Sequence, residues 1–303
     1  LYYYVNKLPD EEKTKLKIAN SIWFRDDENR FMAEKDFLQI NADYYGAEIF
    51  KTPFTDKTLK EVNNWVKNNT YNMIDNVLQD ITDDDVMYLI NAIVFDAEWK
   101  TVYNRSDIYQ SEFTAADGSK VSVDFMRSEE GLYLDDGNAV GFIKPYYNDK
   151  YSFAALLPNE DTDINSYLDN FSGEGFVDAI KNAKTTTVYA SMPKFSYEYD
   201  VELNDVLKEM GMTDAFDPDK ADLSRLGKST RGNIYIGKVL HKTFIALDEL
   251  GTKAGAATVV IVKDEGAPVE IKTVTLDRPF VYAIIDNSTN LPVFIGTVLN
   301  PKD

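Results

Sequence analysis

The chain has no cysteine and a single histidine, and these two absences exclude most familiar catalytic centres. Its 303 residues include no Cys, one His, 10 Pro and 15 Gly. Thiol catalysis, disulfide scaffolds and cysteine-based zinc sites are therefore impossible. A Ser-His-Asp mechanism would have to use His241. Because His241 lies in the apolar stretch K-V-L-H-K-T-F-I-A-L, we expect a buried, hydrogen-bonded residue rather than a catalyst.

Basic residues are scarce relative to acidic ones. There are 32 Lys and Arg against 51 Asp and Glu, which gives a formal net charge of −19. Such a surface repels a phosphate backbone, so we expect no nucleic-acid partner, and it favours a monomer. The chain also lacks an apolar run of about 18 residues, so we expect no membrane span. The absence of cysteine favours an extracellular or cell-envelope protein and is also compatible with the cytoplasm, and the start at Leu1 lacks the features of a signal peptide.

Hydrophobic spacing predicts an α+β fold with large, mainly antiparallel or mixed sheets. Residues 34–45 have helical spacing and end at Gly46. Residues 58–74 predict a second helix, with Asp56 as its cap. The nearly continuous apolar run Val86–Phe95 predicts a strand covered on both faces.

Further patterns predict several shorter elements. Buried strands are expected at Ser152–Leu157, Val281–Ile285 and Val293–Leu299. Thr187–Tyr199 alternates more loosely, and Glu202–Met210 predicts a short helix closed by Gly211. Because no repeat or linker interrupts the chain, we predict one domain over residues 1–303.

Three polar motifs resemble ligand sites but have the wrong spacing. Gly227-Lys228-Ser229 resembles the end of a phosphate-binding loop, whose leading glycine would fall at Asp222. Asp217, Asp219 and Asp222 do not have the spacing of an EF-hand, so a solvated acidic turn is predicted. Asp83-Asp84-Asp85 could ligate a metal, but a charged gatekeeper before an apolar strand is the commoner reason for such a run. We therefore predict neither a metal nor a cofactor.

The segment that follows Leu247 has a composition that does not suit an ordinary loop. Small residues dominate Asp248–Thr258, and Val259–Val262 is a run of high β-propensity. Lys263–Pro268 then reads as a charged turn. Both halves make sense if the segment is first an exposed loop and later a strand inserted into a sheet. A strand of about 15 residues would span on the order of 50 Å.

From end to end the chain resembles the serpins, the serine protease inhibitor superfamily. Glu249–Thr258, here called the hinge, reads E-L-G-T-K-A-G-A-A-T and resembles the family's E-x-G-T-x-A-x-A-A-T. Val274–Ile284 is similar to the family's signature around a Pro-Phe pair, and Leu291–Pro301 is similar to its characteristic ending. Other residues that fall where the family has such residues are Asn91, Trp99, Pro193-Lys194-Phe195 and His241.

The resemblance implies three β-sheets surrounded by up to nine helices, with a central sheet able to accept the reactive-centre loop, about residues 249–277, as an extra strand. It implies a suicide-substrate inhibitor rather than an enzyme, which traps a serine protease as a covalent acyl complex by loop insertion. By the same resemblance Asn91 and His241 belong to a polar latch under that sheet. Trp99 and Glu249 belong to its upper opening.

The hinge composition favours an inhibitor. Alternate side chains of an inserted strand face the core, and every residue of the inward set is small: Thr252, Ala254, Ala256 and Thr258. Gly251 and Ala257 complete the motif, and Lys253 would face outward. No proline interrupts the ladder before Pro268. The alternative is a non-inhibitory serpin-like binding or chaperone protein whose loop is only a substrate.

The scissile bond is predicted at Glu265–Gly266, by counting from Glu249 over the span usual in inhibitory members. Because the interval from Glu249 to Phe280 is longer than in common members, cleavage after Val262, Lys263 or Asp264 stays open. Family members also carry a further N-terminal stretch before the point where Leu1 aligns. Without it, we expect the core beneath the central sheet to be partly uncovered.

Overall fold

Residues 13–252 and 270–302 are described by the structure, which is a computed structural model. They form two units. The first unit comprises residues 15–95 and 198–244, and the second comprises residues 13–14, 96–197, 245–252 and 270–302. The predicted organisation as one domain stays a prediction.

The elements follow one another in an irregular α+β order. The strands are β1 Thr14–Arg25, β2 Phe31–Ala33, β3 Glu48–Thr52, β4 Met87–Glu98, β5 Ile108–Thr114, β6 Lys120–Asp135, β7 Ala139–Pro145, β8 Tyr151–Pro158, β9 Lys184–Pro193, β10 Phe195–Glu202, β11 Gly227–Ser229, β12 Leu240–Leu247, β13 Gly251–Thr252, β14 Ile271–Thr275, β15 Phe280–Asp286 and β16 Leu291–Val298. The α-helices among the described residues are α1 Lys35–Tyr45, α2 Asp56–Asn69, α3 Ile164–Asp169, α4 Gly173–Lys181 and α5 Asn204–Glu209. None of these helices is long and apolar enough to cross a membrane.

Helix α1 ends as predicted, whereas α2 differs from its prediction at both ends. Gly46 adopts the left-handed conformation (φ 58°) that closes α1. The residue that caps α2 is Thr55, whose backbone N–H donates to the Thr58 hydroxyl at 3.3 Å, so the prediction of Asp56 as the cap is wrong. The helix stops before residue 74 because Tyr71 and Asn72 both have positive φ, at 50° and 61°.

In the first unit, β1 lies between β4 and the parallel strand β3, and β10 neighbours β12. Trp23 of β1 stacks on Phe50 of β3 with ring centroids 4.0 Å apart. The buried core comprises Ala19, Trp23, Val62, Trp65, Val66, Ile74, Leu78 and Ile90. The prediction that β4 is covered on both faces is wrong for its first half, because Leu89 is 59% exposed while Ile90 is buried.

In the second unit, an eight-stranded sheet has the order β14-β9-β6-β7-β8-β15-β16, with β5 paired to β6. Every residue of β8 and β15 is buried, as their apolar runs predict. The core packed under this sheet comprises Leu134, Ala139, Ile143, Ala154, Leu156, Ile164, Tyr167, Phe176, Ile180, Val281, Ala283 and Ile285. The prediction of a buried strand at Val293–Leu299 is wrong for most of its length, because β16 is an end strand of the sheet: Ile295 is exposed, and Val298 is the residue of β16 that is buried.

The segment predicted as one loose strand, Thr187–Tyr199, forms two strands. β9 ends at Pro193 and β10 begins at Phe195. Between them the Lys194 backbone N–H donates to the Asp124 carbonyl at 2.8 Å. Lys194 thus lies between the two strands, and its side chain pairs with Glu249, the first residue of the hinge.

Candidate functional site

The hinge begins with a tight turn at the end of β12. The Asp248 backbone N–H donates to the Gly251 carbonyl at 3.0 Å. The Asp248 carboxylate accepts the backbone N–H of Leu250 at 2.8 Å. An aspartate side chain that accepts from the backbone two residues on stabilises such a turn. The turn directs Gly251 and Thr252 back along the sheet.

These two residues form strand β13, which lies between β12 and β4 and is antiparallel to both. Thr252 pairs with Leu247 of β12 and with Ala97 of β4. Gly251 pairs with Glu98 of β4. At this end of the sheet, β4 and β12 are therefore already separated by the two residues of β13.

Gly251 is the residue that this close approach requires. A Cβ at this position would lie 2.0 Å from the carbonyl oxygen of Ala97. The backbone φ is 156°, which L residues with a side chain rarely adopt. The glycine of the hinge motif thus has a direct steric reason in this structure.

Thr252 is buried, and its hydroxyl contacts a buried tyrosine. Only 2% of Thr252 is exposed. Its Oγ1 lies 2.7 Å from the Tyr146 hydroxyl. Burial raises the pKa of Tyr146 well above its ordinary value, so this phenol stays neutral at physiological pH. That Thr252 begins the inward-facing set of an inserted hinge stays a prediction.

Trp99 holds the turn from the end of β4. Its indole N–H donates to the Asp248 carbonyl at 2.9 Å, and its backbone N–H donates to the Leu250 carbonyl at 2.9 Å. The indole stacks on Tyr146 with ring centroids 4.4 Å apart. The Tyr103 backbone N–H adds a bond to the Glu249 carbonyl at 2.9 Å. The role of Trp99 at an upper opening of the sheet, which the family resemblance implies, stays a prediction.

Glu249 forms an ion pair with Lys194. The Nζ atom of Lys194 lies 2.5 Å from the Glu249 carboxylate, and the two side chains are 25% and 36% exposed. The hydrogen bond from Lys194 lowers the pKa of Glu249 below its ordinary value. Lys194 belongs to the Pro-Lys-Phe motif, but the sequence did not predict this partner, because nothing in a linear pattern pairs the two positions.

The two predicted latch residues lie in the first unit. Asn91 is exposed on β4, and its Nδ2 donates to Asn20 Oδ1 at 2.8 Å. His241 on β12 is also exposed, so the prediction that it is buried is wrong. The latch role of Asn91 and His241, which the family resemblance implies, stays a prediction.

The remaining predicted site residues lie outside the described residues. They are the hinge residues Ala254, Ala256, Ala257 and Thr258, the predicted scissile pair Glu265 and Gly266, and the alternative cut positions Val262, Lys263 and Asp264. Their predicted roles stay predictions.

The polar motifs near the surface have local partners. Asp83 contacts Arg30 at 2.9 Å and Arg231 at 2.8 Å. Asp217 accepts the backbone N–H of Asp219 at 2.9 Å, as an acidic turn does. Within residues 13–252 and 270–302, no cluster of three or more His, Asp or Glu has the geometry to hold a metal ion.

The sequence as a whole matches one protein family. The profile described as "Serpin (serine protease inhibitor)" matches residues 1–301. The chain belongs to the serpin family. Serpins are generally protease inhibitors rather than catalytic enzymes.

Three similar proteins show how this chain relates to other serpins in sequence and structure. The thermophilic serpin tengpin in its native state is 59% identical, with 99% of this chain and 77% of that chain covered and a TM-score of 0.92. Serpin B4 of Homo sapiens is 29% identical over 296 residues, covering 94% of this chain and 74% of that protein. Plasminogen activator inhibitor 1 of Neovison vison is 34% identical over 254 residues, covering 79% of this chain and 61% of that protein. The fold is therefore the serpin fold, and the family includes protease inhibitors.

Proposed function

We propose that this serpin is a suicide-substrate inhibitor of serine proteases. The protease serine attacks the carbonyl carbon of the scissile bond, the C–N bond breaks, and the new amine end leaves while the enzyme stays attached as an ester. The freed hinge then inserts between β4 and β12 and carries the acyl-enzyme along the sheet before water can hydrolyse the ester. In this scheme the chain is a substrate of the protease that remains covalently attached to it, and it is not itself an enzyme.

The observation that carries the proposal is the position of β13. Its two residues already separate β4 from β12 and pair with both. Since β13 is antiparallel to both neighbours, those neighbours run parallel to each other, and a continued hinge would extend between them as a central strand. No new opening has to be made at this end of the sheet.

The composition of the remaining hinge supports insertion. If β13 continues, period-2 alternation places Ala254, Ala256 and Thr258 on the same face as Thr252. Thr252 is already buried with its hydroxyl 2.7 Å from the Tyr146 hydroxyl, so the first position of this face accepts a small side chain. A strand of about 15 residues would carry an attached protease on the order of 50 Å.

We place the scissile bond at Glu265–Gly266. A protease selective for glutamate fits this bond. Cleavage after Lys263, Asp264 or Val262 would instead fit a trypsin-like, an aspartate-selective or an elastase-like enzyme. We further propose that the protein acts as a monomer in an extracellular or cell-envelope location, where its protease partners would meet it.

A panel of serine proteases of these four selectivities tests the function. Incubation at equimolar ratio should give a covalent complex that survives boiling in detergent, and a released C-terminal peptide that mass spectrometry finds to begin at Gly266. Cleavage in the loop without complex for every protease would overturn the inhibitor function and support the non-inhibitory alternative. An intrinsic hydrolytic activity would instead support an enzyme.

A matched pair of variants tests loop insertion itself. Thr252→Arg puts a charge at a buried position beside Tyr146, where an unpaired charge is costly. Lys253→Glu changes charge at the neighbouring position, which the alternation places outward. Thr252→Arg should convert the inhibitor into a substrate, with the complex lost and cleavage retained, whereas Lys253→Glu should still form complex. Equal complex yields from the two variants would contradict insertion in this register.

A further inference from the structure

A buried ion pair lies directly behind the residues that hold the hinge. Lys144 of β7 and Glu130 of β6 are 1% and 7% exposed, and Lys144 Nζ lies 2.9 Å from Glu130 Oε1. Neither residue belongs to any motif that identified the family. Two opposite charges removed from water require an explanation, because apolar residues of similar volume are often at least as stabilising.

The regular alternation of β6 directs Glu130 inward, on the same face of the strand as the buried residues Met126 and Leu134. Glu129 is less buried than Glu130, the next residue. The Ser128 hydroxyl donates to Glu130 Oε1 at 2.6 Å, so the carboxylate has a second partner.

The ammonium group of Lys144 faces two aromatic rings. Its Nζ lies 4.4 Å from the ring centroid of Tyr103 and 5.4 Å from that of Trp99. A cation over an aromatic face is attracted to it, most strongly where water is excluded. The same two residues supply the backbone N–H groups that bind Glu249 and Leu250. Lys144 therefore contacts the rings of both residues whose backbone N–H groups bind the hinge.

We infer that Lys144 is a positioning residue that fixes the Trp99 and Tyr103 rings. The segment 99–103 is thereby held in place to bind the start of the hinge between the ends of β4 and β12. Glu130 neutralises the buried ammonium and orients it toward the rings. The biological meaning of this inference rests on the proposed function. If the hinge inserts between β4 and β12, the segment 99–103 controls how readily that insertion begins. The geometry itself can be tested without any protease.

The test compares Lys144→Met, Glu130→Gln and the double variant in the free protein. Each single variant leaves one buried charge without its partner, so both thermal stability and local order should fall. The double variant K144M/E130Q removes both charges, so its melting temperature should recover. If Lys144 positions the rings, the Trp99 and Tyr103 amides should still exchange with solvent about tenfold faster than in the wild type.

Hydrogen exchange of these two amides, read by NMR or mass spectrometry, decides the matter. Exchange at the wild-type rate in the double variant would overturn the inference, since the pair would then be structural only. Lys120→Met serves as a control, because Lys120 forms an exposed ion pair with Glu112 at 3.0 Å. Equal acceleration in Lys120→Met would also overturn the inference, because the effect would not be local.

A functional measurement separates this inference from the proposed function. If the wild type traps a protease, the double variant should need several-fold more inhibitor per protease while the association rate stays unchanged. A wild type that forms no complex would sink the proposed function alone, since the exchange measurement would still test the positioning role of Lys144. An unchanged stoichiometry in a double variant with fast exchange would show that the segment 99–103 does not control hinge entry and would overturn that part of the inference.

Discussion

Replacing Gly251 with alanine places a methyl group where β4 leaves no room for one. The new Cβ would lie 2.0 Å from the Ala97 carbonyl oxygen and 2.7 Å from the Glu98 Cα. Both are backbone atoms, so no rotamer change relieves the contact. The φ of 156° at this position adds a second cost, because a residue with a side chain rarely adopts it.

The magnitude follows from these contacts. An ordinary contact begins at 3.4 Å, so the methyl group and β4 would have to separate by 3.4 − 2.0 = 1.4 Å. Overpacking and backbone strain of this kind together cost about 2–4 kcal/mol. The hinge can avoid the clash by leaving the sheet, so the loss cannot exceed what the docking of β13 contributes. We expect the melting temperature to fall by about 4–10 °C.

Calorimetry and hydrogen exchange would measure the effect. The Trp99 amide, which donates to the Leu250 carbonyl, should exchange faster in Gly251→Ala. Gly237→Ala is a matched control, because an added Cβ at Gly237 meets no atom within 4 Å. An unchanged melting temperature together with unchanged exchange at Trp99 would refute the argument that β13 is docked between β4 and β12.

Three further predictions concern the ion pair of Glu249 and Lys194, the indole of Trp99 and the N-terminal cap of α3. Because the pKa of Glu249 is lowered in the folded protein, its pair with Lys194 stabilises the fold above the unfolded pKa of the carboxyl group, and that contribution is lost as the pH falls through the folded pKa. The difference in melting temperature between wild type and Glu249→Gln should therefore shrink between neutral pH and about pH 3, and a constant difference would contradict the pairing. Trp99→Phe removes the donor to the Asp248 carbonyl and should lower the free energy of unfolding by about 1–3 kcal/mol in denaturant titrations, so an unaltered midpoint would count against that bond. Asp163→Ala removes the acceptor for the first-turn amides of α3 and should cost about 1 kcal/mol in the same titrations, whereas Asp163→Asn should retain most of the stability.

Helix boundaries illustrate which local features a sequence can predict. The end of α1 was predictable because Gly46 takes the left-handed cap conformation at little cost. The end of α2 was not, because the turn there uses Tyr71 and Asn72 in left-handed conformations. Thr70 stabilises that turn, with its hydroxyl donating to the Val66 carbonyl at 2.8 Å. A turn stabilised by such contacts leaves no glycine or proline signal in the sequence.

Strand burial shows the same limit. The apolar runs of β8 and β15 predicted buried strands, and both lie in the interior of the eight-stranded sheet. The run in β4 is equally apolar, yet Leu89 is exposed. The hydrophobicity of a strand indicates which of its side chains can be buried, whereas the neighbouring elements determine which of its two faces is covered.

The amino-acid sequence alone establishes which chemistry is excluded and what character the hinge has. A chain without cysteine cannot use a thiol, and small residues followed by a β-branched run can serve both as a loop and as a strand. The hinge motif also includes the glycine at position 251, although the carbonyl oxygen that makes it necessary lies on another strand. The exclusion of thiol chemistry and the two-sided character of the hinge are local features, because they depend on each residue and its near neighbours in the chain.

Which distant groups meet the hinge depends on the tertiary structure. Trp99 and Asp248 are 149 positions apart in sequence, and Tyr146 and Thr252 are 106 apart, yet each pair forms a hydrogen bond. Glu130 and Lys144 form their buried ion pair because β6 and β7 are neighbours in the eight-stranded sheet. Long-range pairing is set by how strands are ordered in a sheet, and a linear pattern carries little information about that order.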